Sequence, residues 1–257
     1  MRYAGWPRRA RRYMRRGGYR RSDCVRVSPG CSPTLRPEKY REYIAYVRSR
    51  GPRIRVIVNT NAHARDEEAA RFLVEAGVHA VNTDVDGATA ATFEHVRQHL
   101  SLARVEANIL RLVAMRDALG RRRPVVRVGM IAMPENRHEI ALFLEKWRGK
   151  VDFVEIDGLH NRVPGIDPAL CPGQARRCFE PWQRLNVWAN GQAVLCCEDW
   201  NGRHVVGDAR LETVGGIWDG EPLRAVRRAH WSGDGRSIAL CAQCSAWRSG
   251  PTWWSGD

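Results

Sequence analysis

Residues 54–87 read IRVIVNTNAHARDEEAARFLVEAGVHAVNTDVDG, and this stretch decides the fold. Residues 54–58 form an apolar, β-branched run that ends in Asn59-Thr60-Asn61. Residues 66–76 carry helical spacing and are closed by Gly77; residues 78–82 form a second strand-like run that ends in Thr83-Asp84-Val85-Asp86-Gly87. A strand, a helix and a strand joined by short loops make a parallel pair, because parallel strands need a long crossover between them.

The same alternation extends in both directions. Pro37 opens a helix in which Tyr40, Tyr43, Ile44 and Val47 recur at helical spacing as far as Gly51. Downstream, the pattern predicts helices near 89–99 and 105–119, a strand over 125–132, a helix over 136–147 and a strand over 151–156 ending at Asp157-Gly158. Four βα units point to an α/β fold with a parallel sheet or partial barrel, whose working residues sit at the C-terminal ends of the strands. Four units are too few for a closed eightfold barrel.

After Pro164 the text changes to short strands and turns. Leu185-Asn186-Val187-Trp188 and Gln192-Ala193-Val194-Leu195-Cys196 flank Ala189-Asn190-Gly191, and Asn-Gly between two apolar runs signals a hairpin. The expected organisation is a basic disordered tail over 1–36, a βα domain over 37–165 and a small cysteine-rich domain over 166–250.

Charge and cysteine placement support that division. The net charge is +14, yet residues 1–32 hold ten arginines and one acid, leaving the other 225 residues with only a small positive excess. A folded body so nearly balanced argues against a nucleic-acid groove and confines that reading to the basic tail. No apolar run approaches 18 residues, so no membrane span is expected. The Arg-rich start lacks the apolar core of a signal peptide, which points to the cytoplasm, where clustered cysteines bind metal more often than they pair.

Six of the eight cysteines follow residue 170, and eight of the ten tryptophans follow residue 180. Cys178 precedes the hairpin, Cys196 and Cys197 end its second strand, and Cys241-Ala242-Gln243-Cys244 follows. A C-x2-C pair puts two thiolates on one turn, and four soft thiolates suit zinc or an iron–sulfur cluster. Neighbouring residues of a strand face opposite ways, so one of Cys196 and Cys197 is expected as a ligand and the other not. Cys24 and Cys31, in the tail, and Cys171 read as incidental.

These residues resemble a known family. Cys178-Phe-Glu-Pro-Trp182, Asn190-Gly191 with four residues to Cys196, Val206-Gly207-Asp208, Ile217-Trp218, Arg227, His230 and Leu240-Cys-Ala-Gln-Cys244 together resemble the SPASM/Twitch extension of radical S-adenosylmethionine (SAM) enzymes. The resemblance implies an auxiliary [4Fe–4S] cluster held by Cys178, Cys196, Cys241 and Cys244. It also implies a partial radical-SAM barrel in front. There Thr60-Asn61-Ala62 stands where the family commonly has Thr-Asn-Gly, and Asp84-Val85-Asp86-Gly87 where it has Ser-x-Asp-Gly. Thr60, Asn61, Asp84 and Asp86 are the implied S-adenosylmethionine contacts; a solvated loop and a helix cap are the plainer roles for Asp84 and Asp86. His160, Asp157 and Arg162 stand near the last strand end, where a substrate or ordinary surface exposure would place them.

One family motif is missing: no C-x3-C-x2-C occurs in the chain. Ser28-Pro-Gly-Cys-Ser-Pro33 stands where the family has Gly-Gly-Glu-Pro. By this comparison the chain is a truncated or frame-shifted relative whose residues 1–33 lie outside the ancestral fold. Three functions follow from the whole reading. The chain is part of an oxidoreductase or maturase acting on a sugar, aminocyclitol or peptide, served by a reductant such as a flavodoxin or ferredoxin. Alternatively it is a non-enzymatic iron–sulfur or substrate-binding protein, or a zinc protein with a nucleic-acid-binding tail.

Overall fold

A computed structural model describes residues 24–27, 37–50, 54–63, 67–158, 178, 180–188 and 190–244. The chain divides into two compact units, Met1–Gly158 and Leu159–Asp257. The first runs β1 (Cys24–Val27), α1 (Pro37–Arg50), β2 (Arg55–Thr60), α2 (Glu67–Glu75), β3 (Ala80–Asp84), α3 (Ala90–Val96), α4 (Leu102–Ala118), β4 (Val125–Ala132), α5 (Ile140–Trp147) and β5 (Phe153–Gly158).

Its five strands are parallel and pair in the order β1-β2-β3-β4-β5. An order that never reverses, with right-handed crossovers, puts every helix on one face of the sheet. Val56, Val58, Val81, Val126, Val128 and Met130 are buried on that face, in one core with Leu73, Phe93, Phe143 and Trp147 from the helices. The alternate residues of the same strands, in register, are Asn59, Asn82, Arg127 and Phe153, then Asp84, Gly129 and Glu155, then Ile131 and Asp157. One face is therefore a helix-covered core and the other a largely polar surface, as period-two alternation requires.

Strand β1 corrects the sequence reading, which took residues 1–36 as disordered and began order at Pro37. Cys24 lies opposite Arg55 and Val27 opposite Val58, so this segment is the first strand of the sheet. Four residues, Cys-Val-Arg-Val, are too few to show periodicity inside Arg-rich text, and the pairing uses backbone groups that the side chains do not announce. The rest of 1–36 lies outside the described residues. Strands β3 and β5 begin two residues later than expected. Val78 instead packs in the core, and its N–H closes α2 on the Leu73 carbonyl at 3.2 Å.

At the end of β2 the chain turns through Ala62, whose φ is +56°. The Thr60 hydroxyl accepts the Ala62 N–H at 3.1 Å, and the Asn61 side chain accepts the His63 N–H at 3.2 Å. Buried Asn108 on α4 donates to the Ala62 carbonyl at 2.8 Å, which pins the turn to the helix layer. Glycine adopts this left-handed geometry without the crowding that Cβ creates, a penalty of about 1 kcal/mol for alanine. Ala62→Gly is expected to stabilise the first unit by about 0.5–1 kcal/mol, read as a higher denaturation midpoint with unchanged slope. An unchanged midpoint would mean that the turn bears no such strain.

The second unit contains α6 (Glu180–Gln183), β6 (Asn186–Val187), β7 (Gln192–Val194), β8 (Val205–Asp208), α7 (Val214–Trp218), α8 (Glu221–Ser232) and α9 (Ala239–Gln243). The expected hairpin is β6–β7, and β8 adds a third antiparallel strand. Gly191 turns the hairpin at φ +90°, where a Cβ would also come within 2.5 Å of Arg210. Ala193, Leu195, Val206, Ile217, Leu223 and Val226 form its core. Buried Arg227 on α8 donates to the Pro181 and Trp218 carbonyls at 2.8 and 2.6 Å and stacks on the Trp218 ring at 4.4 Å, joining α6, α7 and α8.

Candidate metal centre

The cysteines of the second unit come from three places. Cys178 lies two residues before α6, Cys196 and Cys197 follow β7, and Cys241 and Cys244 lie in and just after α9. None of the five is in a disulfide. Burial pushes Cys178 and Cys241 up to about 12 and Cys196 higher still. Their charges also act on one another: Cys178 is raised further by Cys241 and Cys244, and Cys196 by Cys197, Cys178 and Cys241. Cys178, Cys196, Cys241 and Cys244 therefore share one neighbourhood, with Cys197 beside Cys196, in which each ionised thiol opposes the next. A soft cationic centre reverses that balance, since it stabilises every thiolate at once.

Cys197 is placed differently. Its Sγ donates to the Glu198 carboxylate at 3.2 Å, and its pKa is raised to about 12 by desolvation of the thiol, then by the charges of Glu198 and Glu180. Among the described residues, no three His, Cys, Asp or Glu side chains are grouped to hold a single metal ion.

Two buried polar residues shape the walls of this neighbourhood. Asp199 accepts the backbone N–H groups of Arg203 and His204 at 2.8 and 2.9 Å, closing the loop that carries Cys196. On α8, His230 is 2 % exposed and its Nε2 lies 3.3 Å from Cys241 Sγ. The sequence reading took His230 only as part of a family resemblance. Its place three residues after Arg227, on the buried stripe of α8, is the signal that marks it.

In the first unit, the four residues singled out at the strand ends divide by face. Asp84 stands on the polar face, where its pKa is raised by partial desolvation and by Asp86 and Glu155, against Arg127 and Arg97. Asp86 is neither a solvated loop acid nor a helix cap, which corrects that part of the sequence reading. It is 2 % exposed, one oxygen pairs with Arg97 at 2.6–2.7 Å, and the other accepts the Ile131 N–H at 2.9 Å. The N-cap of α3 is Thr89, which accepts the Thr92 N–H at 3.3 Å. Behind it Glu139 accepts from Ala88, Thr89 and Thr92. Burial alone would raise this carboxyl, but the hydrogen bonds outweigh it and hold the pKa at about 2. Thr60 and Asn61 use their side chains to build the Ala62 turn.

Arg127 is the residue that sequence reasoning missed. Its guanidinium pairs with Glu155, with Asp157 at 3.0 Å and with Asp84 at 3.5 Å, so it ties three strands together on the polar face. Gly129 makes room for it: a Cβ there would meet the guanidinium at 3.0 Å. Desolvation and Glu155 raise the pKa of Asp157 despite this partner. The residues 127, 129, 155 and 157 alternate on one face, which is the pattern that could have marked them. Cys31, His160, Arg162 and Cys171 lie outside the described residues.

Residues 3–146 match the model of the radical SAM superfamily. The chain belongs to that superfamily. Residues 178–245 match SPASM, an iron–sulfur cluster-binding domain, so all four grouped cysteines fall within it. Radical SAM and SPASM domains carry [4Fe–4S] clusters and S-adenosylmethionine as their cofactors. Among solved structures, the chain is similar to BtrN in complex with AdoMet and 2-DOIA, at 18 % identity over 86 % of this chain and 72 % of that one, with a TM-score of 0.52. It is also similar to native anSMEcpe with bound AdoMet and the Kp18Cys peptide, at 12 % identity over 81 % and 70 % of the two chains, with a TM-score of 0.60. A second anSMEcpe complex, with AdoMet and the Cp18Cys peptide, gives 11 % identity over 90 % and 78 %, with a TM-score of 0.59. No curated protein sequence matches the chain. No helix among the described residues of this radical SAM protein is long and apolar enough to cross a membrane.

Proposed function

We propose that the second unit holds an auxiliary [4Fe–4S] cluster through Cys178, Cys196, Cys241 and Cys244. On this reading the chain works within an oxidoreductase or maturase acting on a sugar, an aminocyclitol or a peptide. The observation that carries the reading is that those four cysteines lie within the matched cluster-binding region, while the Cys197 Sγ donates to Glu198. Zinc could take the same four thiolates, but the matched domain is an iron–sulfur cluster-binding one, which supports the cluster.

The polar face of the first unit supports the other half of the proposal. Thr60, Asn61 and Asp84 stand at the strand ends where S-adenosylmethionine would bind, and Asp86 holds the loop behind them through Arg97 and Ile131. The solved structures of similar fold bear AdoMet, one with 2-DOIA and others with peptides, which supports a small polar or peptide substrate. A flavodoxin or ferredoxin would supply electrons, and the cytoplasm, where thiols stay reduced, suits the cluster. The missing C-x3-C-x2-C favours a second reading, a cluster- or substrate-binding protein on the same fold that performs no radical chemistry.

Anaerobic reconstitution followed by iron and sulfide analysis tests the cluster. The adjacent cysteines supply the sharper form of the test. Cys196→Ser is expected to lose most of the iron, while Cys197→Ser keeps more than about four-fifths of it, because the Cys197 Sγ is engaged with the Glu198 carboxylate. The opposite outcome would mean that the loop after β7 presents Cys197, and not Cys196, to the metal. Zinc without iron would overturn the cluster itself.

A further inference from the structure

His230 is an unusual residue to bury beside a cysteine unless it serves the sulfur. It sits on α8, faces inward with Leu223, Val226 and Arg227, and places Nε2 3.3 Å from Cys241 Sγ. The ring is held from the far side as well: a Cβ on Gly235 would stand 2.6 Å from Nδ1, so only glycine at 235 lets the imidazole lie where it does. Helix α8 is itself fixed by Arg227, three residues earlier, through its bonds to Pro181 and Trp218. The contact is thus set by packing on three sides and is not a chance approach of a mobile side chain.

We propose that His230 donates its Nε2–H to the ligating sulfur of Cys241, and so raises the reduction potential of the auxiliary cluster. The inference rests on the ligand assignment proposed above. A metal-bound thiolate has no proton and can only accept, so the hydrogen bond across 3.3 Å requires the proton on Nε2. Donation toward a cluster sulfur stabilises the more negative, reduced state, and hydrogen bonds to the sulfurs are one of the main determinants of such potentials. His230 is therefore a positioning and tuning residue, acting through Cys241 and not on the substrate.

The test uses the full chain, reconstituted anaerobically with iron and sulfide, with iron content measured on every sample. His230→Phe keeps an aromatic ring but no donor, and His230→Gln returns an N–H near the position of Nε2. At a fixed poise, the ratio of reduced to oxidised cluster in His230→Phe is expected to fall about three- to tenfold, a midpoint lower by about 30–60 mV for one electron. His230→Gln is expected to recover most of that shift. Independently, wild-type protein carrying ring-15N histidine should show a 15N hyperfine coupling in pulsed EPR of the reduced cluster, and the Gln variant should lack it. The spectroscopic arm decides the matter if the Phe variant does not fold. A loaded cluster with no 15N coupling, or with the same midpoint in all three proteins, overturns the role of His230 alone. Failure of the wild-type chain to load iron overturns the ligand assignment on which it rests.

Discussion

Cys244→Ala is expected to remove nearly all of the approximately four irons that each reconstituted chain should carry, and Cys241→Ala to do the same. The two variants separate metal binding from packing. Cys241 is 7 % exposed and belongs to the core of the second unit, so its truncation also leaves a small void that costs about 1 kcal/mol whatever the metal does. Cys244 lies just beyond α9, outside that core, so its truncation leaves the core packing intact. The loss should be all but complete, because one of four thiolates is gone and three remain for four irons. In a unit whose strands are two to four residues long, the cluster is also a staple, so the apo variants should unfold at lower denaturant than the loaded protein. Anaerobic iron analysis checks the first effect and circular dichroism the second. Full iron content in both variants would mean that other residues hold the metal.

How much of this could be read from the sequence depended on whether the signal was local. Strand β4 is legible residue for residue over 125–132, because a strand covered on its core face by helices reads as an apolar run with sharp ends. Gly191 between two apolar runs marked the hairpin. Strand β1 escaped notice since its partner, not its own composition, makes it a strand. The Arg127 network escaped for a related reason: Asp84, Glu155 and Asp157 come from β3 and β5, and only the register of three strands brings them to one guanidinium. Asp84 and Asp86 look alike in the sequence, two acids in one loop. Their fates differ because the strand ends between them, so that Asp84 stays on the polar face while Asp86 folds under it to Arg97.

These 257 residues, reconstituted with iron and sulfide, are expected to form no 5′-deoxyadenosine from S-adenosylmethionine. The argument is one of coordination. Cleavage needs an iron with an open position for the amino and carboxylate groups of S-adenosylmethionine, in a cluster that three protein thiolates hold. A site with four thiolates for four irons offers no such position. Of the eight cysteines none are spaced C-x3-C-x2-C. Cys24 and Cys31 supply at most two thiolates, and β1 places the first of them at the wrong end of the sheet. Cys24 lies opposite Arg55, where β2 begins, whereas Thr60 closes the same strand at its C-terminal end about 16 Å away, at roughly 3.3 Å per residue. The strand-end residues that would meet the cofactor are thus far from Cys24. The measurement is chromatography of the nucleoside products after reduction with dithionite and addition of S-adenosylmethionine. Product above the no-protein background would show that the chain builds a three-thiolate centre, and would return the first unit from binding to radical chemistry.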